Sequence, residues 1–470
     1  TIVTWVSGEC LPIHEVPSVT PDIKKSDGTR LEVSMRELAG LVEGETGFNS
    51  LHEVTEEYLG WISEQKRLID TLPENLQGSA RMHMDKCETA ATRMREGLSI
   101  LQNTDCEDSK AILEAFKLAN HAMYLQQTRS SREIRHLIWN EESKYFGIEK
   151  PLSLELSRGK WRAFQIAFIL MSLKSVADGN DPFRENVELI WFPTGGGKTE
   201  AYLGLAAFSI FLRRLRDKDD AGVDVIMRYT LRLLTSQQFQ RACGLTCAMD
   251  YLRHQNIESL GEHPISIGLW LGSSFTPNTR DAAKEALNKL MRDNRAENPF
   301  VLRKCPWCSA EMGTIKAVQK LRRGRGRRNM QLPAVLGYKE SAGTVILHCT
   351  DRECHFHKKL PIHVIDEDIY DFKPDILLGT VDKFAVLTWN SKTRGIFGID
   401  ELGNRVNAPP TLIIQDELHL ISGPLGSIVG LFELLIEELC TDNRLERRIL
   451  PKIICSTATI RRYTEQVTAL

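Results

Sequence analysis

Three glycines followed by a lysine and a threonine, Thr194-Gly195-Gly196-Gly197-Lys198-Thr199, form the run in this chain best suited to chemistry. Glycines let the backbone turn tightly enough for successive N–H groups to point at one phosphate, and a helix starting there adds the positive end of its dipole. The apolar run Val187 to Phe192 reads as a strand before the turn, and Glu200 to about Leu215 reads as a helix after it. That is the context a phosphate-binding loop needs. Lys198 is then expected to reach the β- and γ-phosphates of ATP and Thr199 to ligate Mg²⁺. Thr194, Gly195, Gly196, Gly197 and Glu200 complete the expected nucleotide contact. Phe192 stands where the full Gly-x-x-x-x-Gly-Lys-Ser/Thr pattern has its first glycine.

A second segment supplies carboxylates. Gln415-Asp416-Glu417-Leu418-His419 follows the apolar strand Thr411 to Ile414. Asp416, at the strand end, is placed to hold Mg²⁺, usually through water, and Glu417 to polarise an attacking water as general base. With Lys198 and His419 these make the expected catalytic set. Ser456-Thr457-Ala458-Thr459 closes a further apolar strand downstream and is, taken alone, only a hydroxyl-rich loop.

The cysteines point to a different chemistry. Cys305-Pro306-Trp307-Cys308 and Cys349-Thr350-Asp351-Arg352-Glu353-Cys354 are a Cys-x2-Cys pair and a Cys-x4-Cys pair. Each pair can grip one metal from a turn, so four thiolates fit a closed tetrahedral Zn²⁺ site. His355 and His357 could each replace a cysteine and are read as bystanders. Cys243 and Cys247 sit on an apolar helical stretch and read as core thiols. Between the pairs lies a concentrated basic run containing Arg322, Arg323, Arg325, Arg327 and Arg328. Glycine-interrupted arginines suit flexible phosphate binding, and a solvated loop is the open alternative.

These residues need elements to position them. From about 185 onward short β-branched runs alternate with helical stretches: Val187 to Phe192, Val223 to Leu231, Ile265 to Leu271, Ile376 to Val381, Leu412 to Gln415 and Ile453 to Ser456. Such alternation predicts an α/β fold with a parallel sheet covered by helices on both faces. Residues 295–365 interrupt it as a small inserted zinc-ribbon-like module. Residues 1–150 read as a mostly helical N-terminal domain, with apolar residues recurring at helical spacing around Leu59 to Leu72, Ala80 to Leu101 and Ala111 to Gln127. A strand is expected at Ile2 to Val6.

The bulk composition narrows the class. At 470 residues the chain has room for about three domains of roughly 150 residues. Basic and acidic residues number 60 and 62, so any nucleic-acid surface must be local. No apolar run reaches the roughly 18 residues of a membrane span and no signal-peptide pattern opens the chain, so a cytoplasmic protein is expected. Eleven cysteines, an odd number, argue against a secreted disulfide framework. The chain begins at Thr1 without Met and stops just after a motif, so it reads as an excerpt of a longer protein.

In order, the glycine loop, the Asp-Glu-Leu-His box and the Ser-Thr-Ala-Thr run resemble motifs I, II and III of superfamily 2 helicases. The resemblance covers the first RecA-like domain, residues 151–470. More closely, Trp191 to Gly204 and Ile414 to Gly426 resemble the DrmA family, the helicases of the bacterial anti-phage DISARM system. The resemblance implies DNA-stimulated ATP hydrolysis, a role against phage DNA and a DrmB-like partner. It makes Ser456, Thr457 and Thr459 the hydroxyls that couple the γ-phosphate site to nucleic acid, and Gln165 the adenine-reading amide, with an exposed helical glutamine as the alternative. Arg228, Thr230 and Arg232 resemble motif Ia, and Thr380 and Lys383 motif Ib, which contact the nucleic-acid backbone without reading sequence. Each arginine could equally be a solvated surface residue. A nucleotide-gated binding module and an RNA helicase remain the competing functions.

Overall fold

The computed structural model describes residues 28–44, 46–129, 133–140, 142, 145–191, 196–230, 232–293, 295–314, 335–421, 423–444 and 447–457. Seven parallel strands make the central sheet: β1 (Glu188–Trp191), β2 (Val225–Tyr229), β3 (Ile267–Trp270), β4 (Ile362–His363), β5 (Ile376–Thr380), β6 (Leu412–Gln415) and β7 (Lys452–Thr457). They lie in the order β4-β3-β5-β2-β6-β7-β1. All the pairings are parallel, so every connection must cross over and both faces end up covered.

Strand side chains alternate between two cores. Val225, Met227, Leu412 and Ile414 face one apolar cluster, while Ile226, Leu377 and Ile413 face the other. This two-residue period with both faces apolar produces the continuous β-branched runs in the sequence. Six strands fall where those runs predict them. The seventh, Ile362–His363, is only two residues long and lies within the span read as the inserted module. A strand that short has no periodicity to read.

Helices α1 (Phe48–Leu68), α2 (Glu74–Gln102), α3 (Glu107–Arg129), α4 (Ala163–Ala177), α5 (Lys198–Arg216) and α6 (Arg232–Gln255) precede β3; α7 (Arg280–Arg292), α8 (Asp366–Phe372) and α9 (Gly423–Cys440) follow it. The three N-terminal helices do not stand apart from the sheet. Met94, Leu98, Phe116 and Met123 join the same cluster as Ile169, Phe208 and Met227. Helix α5 is consequently enclosed nearly all round, its Tyr202 to Leu212 all buried. Gly97 makes one of these contacts possible: a Cβ there would fall 2.0 Å from the Leu170 carbonyl oxygen.

A buried charge cluster ties the layers together. Arg93 from α2 pairs with Glu188 at the start of β1, and Lys452 at the start of β7 reaches the same carboxylate at 2.9 Å. The Lys452 ammonium also donates to the carbonyls of Phe183 and Asn186 at 2.6 and 2.7 Å, so no charge is left without partners. The expected strand at Ile2 to Val6 lies outside the described residues. None of the described helices is long and apolar enough to cross a membrane.

Candidate active site

The carboxyl ends of β1, β2, β5, β6 and β7 open on one edge of the sheet, which is where open α/β sheets bind ligands. Gly197 caps α5 with φ +94°, a left-handed conformation that suits glycine. A Cβ at that position would also meet the Gln165 amide nitrogen at 2.7 Å. Lys198 and Thr199 open the helix and are buried, each 8% exposed. The Lys198 ammonium crosses to the end of β7 and donates to the Thr457 carbonyl at 2.8 Å. Burial lowers its pKa from the ordinary lysine value, opposed by the nearby Glu417 and Asp416 carboxylates.

Asp416 ends β6 and is held at both oxygens. Its Oδ1 accepts from the Glu417 N–H at 2.9 Å, and its Oδ2 accepts from the Tyr202 hydroxyl at 2.8 Å. Tyr202 lies one turn beyond Thr199 on α5, its hydroxyl 3.3 Å from the Thr199 hydroxyl. Tyr229, at the end of β2, stands 3.1 Å away, hydroxyl to hydroxyl. Burial drives both phenols well above their usual pKa, so they stay protonated and can donate. The sequence reading passed over both tyrosines. Tyr202 carried a signal, since a residue three after Thr199 must share its helix face.

Glu417 adopts a left-handed backbone, φ 51° and ψ 45°, uncommon for a side chain of its kind. That turn sends His419 back toward it: His419 Nδ1 lies 3.4 Å from the Glu417 carboxylate and 3.2 Å from the Thr457 hydroxyl. Next to Thr457, the Ser456 hydroxyl is buried with no hydrogen-bond partner among the described residues. The structure therefore brings Lys198, Thr199, Asp416, Glu417, His419, Ser456 and Thr457 to one edge. Thr194, Gly195 and Thr459 lie outside the described residues, while Gly196 is held through its carbonyl by Arg162 Nη1 at 2.8 Å. Glu200 pairs with Arg241 at 3.2 Å.

Gln165 also comes to the loop. Its amide nitrogen donates to the Gly197 carbonyl at 2.7 Å, and its oxygen accepts from the Arg162 N–H at 2.9 Å. The amide thus braces the glycine turn in this conformation.

The cations expected to face nucleic acid are placed differently. Arg228 is buried and forms a two-pronged pair with Glu433 of α9, at 2.7 and 2.9 Å. Lys383 is buried against Asp366 at 2.7 Å, its ammonium 5.9 Å from the Trp270 ring centre. In this structure neither offers its charge to a ligand, because each is paired with a carboxylate, Arg228 with one 205 residues away and Lys383 with one 17 residues away. The hydroxyls of Thr230 and Thr380 are buried and lack partners among the described residues. The Arg232 side chain and the run containing Arg322, Arg323, Arg325, Arg327 and Arg328 lie outside the described residues.

The four cysteines converge as their spacing predicts. The sulfurs of Cys305, Cys308, Cys349 and Cys354 all lie within 4.8 Å of one another and all four residues are buried. Zn–S bonds of about 2.3 Å place tetrahedral ligands about 3.8 Å apart, so the set fits zinc. Each pair sits on a turn: Ser309 N–H donates to the Cys305 carbonyl at 2.9 Å, and Cys349 N–H to the Phe356 carbonyl at 2.9 Å. His355 is no part of the cluster; its ring packs edge-on to Tyr251 and His254. Cys243 and Cys247 are buried in α6, as expected of core thiols. The centre docks on the sheet domain through Trp307, which has the Arg129 guanidinium 4.0 Å from its ring centre and Tyr251 at 5.0 Å.

No protein-family model matches the chain. A curated protein from Bacillus paralicheniformis, DISARM protein DrmA, is 34% identical over 498 residues, an alignment that takes in 97% of this chain. The chain spans 42% of that protein's length. Across nearly its whole length, sheet, helical layer and cysteine centre together, the chain is similar to DrmA of a DISARM system.

Proposed function

We propose that this chain is the ATP-binding lobe of a DNA-dependent superfamily 2 ATPase, a helicase or translocase, acting in DISARM anti-phage defence. The observation that supports it best is the convergence of Lys198, Thr199, Asp416 and Glu417 at one edge of the sheet, beside the Ser456 hydroxyl that has no partner. Residues 151–470 are the RecA-like unit in this reading, 1–150 a helical region packed on it and 295–365 its zinc-binding insertion.

Lys198 neutralises the β- and γ-phosphates, and the start of α5 supplies backbone N–H groups and its dipole. Thr199 and Asp416 are the residues that would hold Mg²⁺, which when bound offsets charge on the phosphates. Glu417 orients the attacking water and takes its proton, and His419 holds the Glu417 carboxylate against the Thr457 hydroxyl. Ser456 and Thr457 respond to the γ-phosphate, since Thr457 is already joined to both Lys198 and His419. Thr230, Thr380 and Arg232, with the basic run at 322–328, give a backbone-directed DNA contact. Arg228 and Lys383 join them only after leaving Glu433 and Asp366. A DrmB-like protein is the proposed partner.

The test is DNA-stimulated ATP hydrolysis by the full-length protein and its Glu417→Gln variant. We expect ATP binding to survive and turnover to fall by about 10²–10⁴-fold, the usual contribution of a general base. Equal, negligible rates for both proteins would replace the motor by a nucleotide-gated binding module. RNA competing as well as DNA would reassign the nucleic acid.

A further inference from the structure

On the opposite edge of the sheet, where strands begin, a recess of about 370 Å³ opens between the start of β3, the end of α6 and the return from the cysteine centre. Its floor holds Arg214 and Arg253, and its lining acids among the described residues are Asp250 and Asp375. Both acids are already used. Asp375 accepts from Arg214 Nη2 and from the Ser266 N–H, each at 2.8 Å. Asp250 accepts from Arg253 Nε at 2.7 Å and from the Ile265 N–H at 3.1 Å.

Positive charge is therefore left over. Lys359 and Lys373 line the recess with no carboxylate partner among the described residues. Arg214, only 2% exposed, keeps Nη1 without a partner on the same floor. Cations gathered in a concave, low-dielectric recess focus a field that attracts anions. Beside them Phe372 is 50% exposed, with the Lys359 ammonium 5.0 Å from its ring centre and His363 stacked on it at 4.8 Å. Burial pushes the His363 pKa down to about 3, so the ring is a neutral support for Phe372.

We infer that this recess is a second nucleotide-phosphate site, with Lys359 and Lys373 as phosphate contacts and Phe372 as a surface for a base. An aromatic face next to mobile cations is the combination that holds nucleotides without reading sequence. The ligand is a phosphate-bearing nucleotide, either free or within a single strand. The site is separate from the Lys198 edge and does not depend on the function proposed for that edge.

Binding is measured on the full chain carrying Lys198→Ala, which weakens the glycine loop's hold on phosphate, with ADP and with a short single-stranded oligothymidylate as probes. Lys359→Ala with Lys373→Ala should weaken one probe by about tenfold or more and, for the strand, lower the salt slope by about one unit per lysine. Loss of ADP binding identifies a free nucleotide; loss of oligonucleotide binding identifies a strand. Lys359 is exposed and Lys373 half-buried, and neither has a carboxylate partner among the described residues, so the fold should survive their removal. Phe372→Ala should weaken the same probe at an unchanged salt slope. Affinities and slopes unaltered by the lysine substitutions, for both probes, would overturn the site, and an unchanged affinity in Phe372→Ala would remove the stacking role.

Discussion

The cysteine centre and the proposed nucleotide edge are built on opposite plans. The four sulfurs are buried, mutually close and supplied by two short turns, so the centre is closed and its residues come as two local pairs. The proposed nucleotide edge draws on α4, α5, β2, β5, β6 and β7, and it leaves the Ser456, Thr230 and Thr380 hydroxyls buried without partners among the described residues. Unsatisfied buried hydroxyls cost stability, about 1–3 kcal/mol each, and native proteins keep few of them. A closed centre stabilises its own module.

The largest effect of a single substitution is expected at the cysteines. Cys349→Ser should abolish stoichiometric zinc, measured by elemental analysis of the purified chain, and open the module to proteolysis between 295 and 365. Structural zinc contributes about 10–16 kcal/mol of binding free energy in small zinc domains, so the effect should be the largest of any single substitution. A variant that keeps its metal and its protease resistance would remove the centre's structural role.

A smaller effect should come from the nucleotide edge. Tyr202→Phe removes the bond to Asp416 Oδ2 at 2.8 Å and keeps the ring that fills the space. Stability should fall by only about 1–3 kcal/mol, because the ring stays in place and Asp416 keeps the Glu417 N–H, although the hydroxyl's contacts to Asp416, Thr199 and Tyr229 are lost. The Mg²⁺ concentration for half-maximal turnover should rise while ATP affinity without Mg²⁺ stays the same. An unchanged Mg²⁺ response would make Tyr202 a packing residue alone.

The contrast also explains what could be read from residues alone. The cysteine cluster was legible because each pair is set by a few intervening residues, and the convergence of Lys198, Thr199, Asp416 and Glu417 because a helix start and a strand end carry them in fixed local contexts. The sheet was legible in six strands through their apolar runs, but Ile362–His363 pairs with β3 on only two residues. Pairings between remote segments left no such trace. Nothing near Arg228 in the sequence announces Glu433, and nothing near Lys383 singles out Asp366, so both lysine and arginine read as outward-facing cations. The Gln165 amide was tied to nucleotide by resemblance, and its bond to the Gly197 carbonyl appears only in three dimensions.

In the proposed function, phosphate is held at this edge by Lys198. Equilibrium binding of a fluorescent ATP analogue to this chain and to its Lys198→Ala variant tests it most directly. Loss of a charge-assisted contact worth about 1.5–3 kcal/mol should weaken binding by about ten- to a hundredfold, with the fold intact by circular dichroism. Equal affinities in the two proteins would contradict the account.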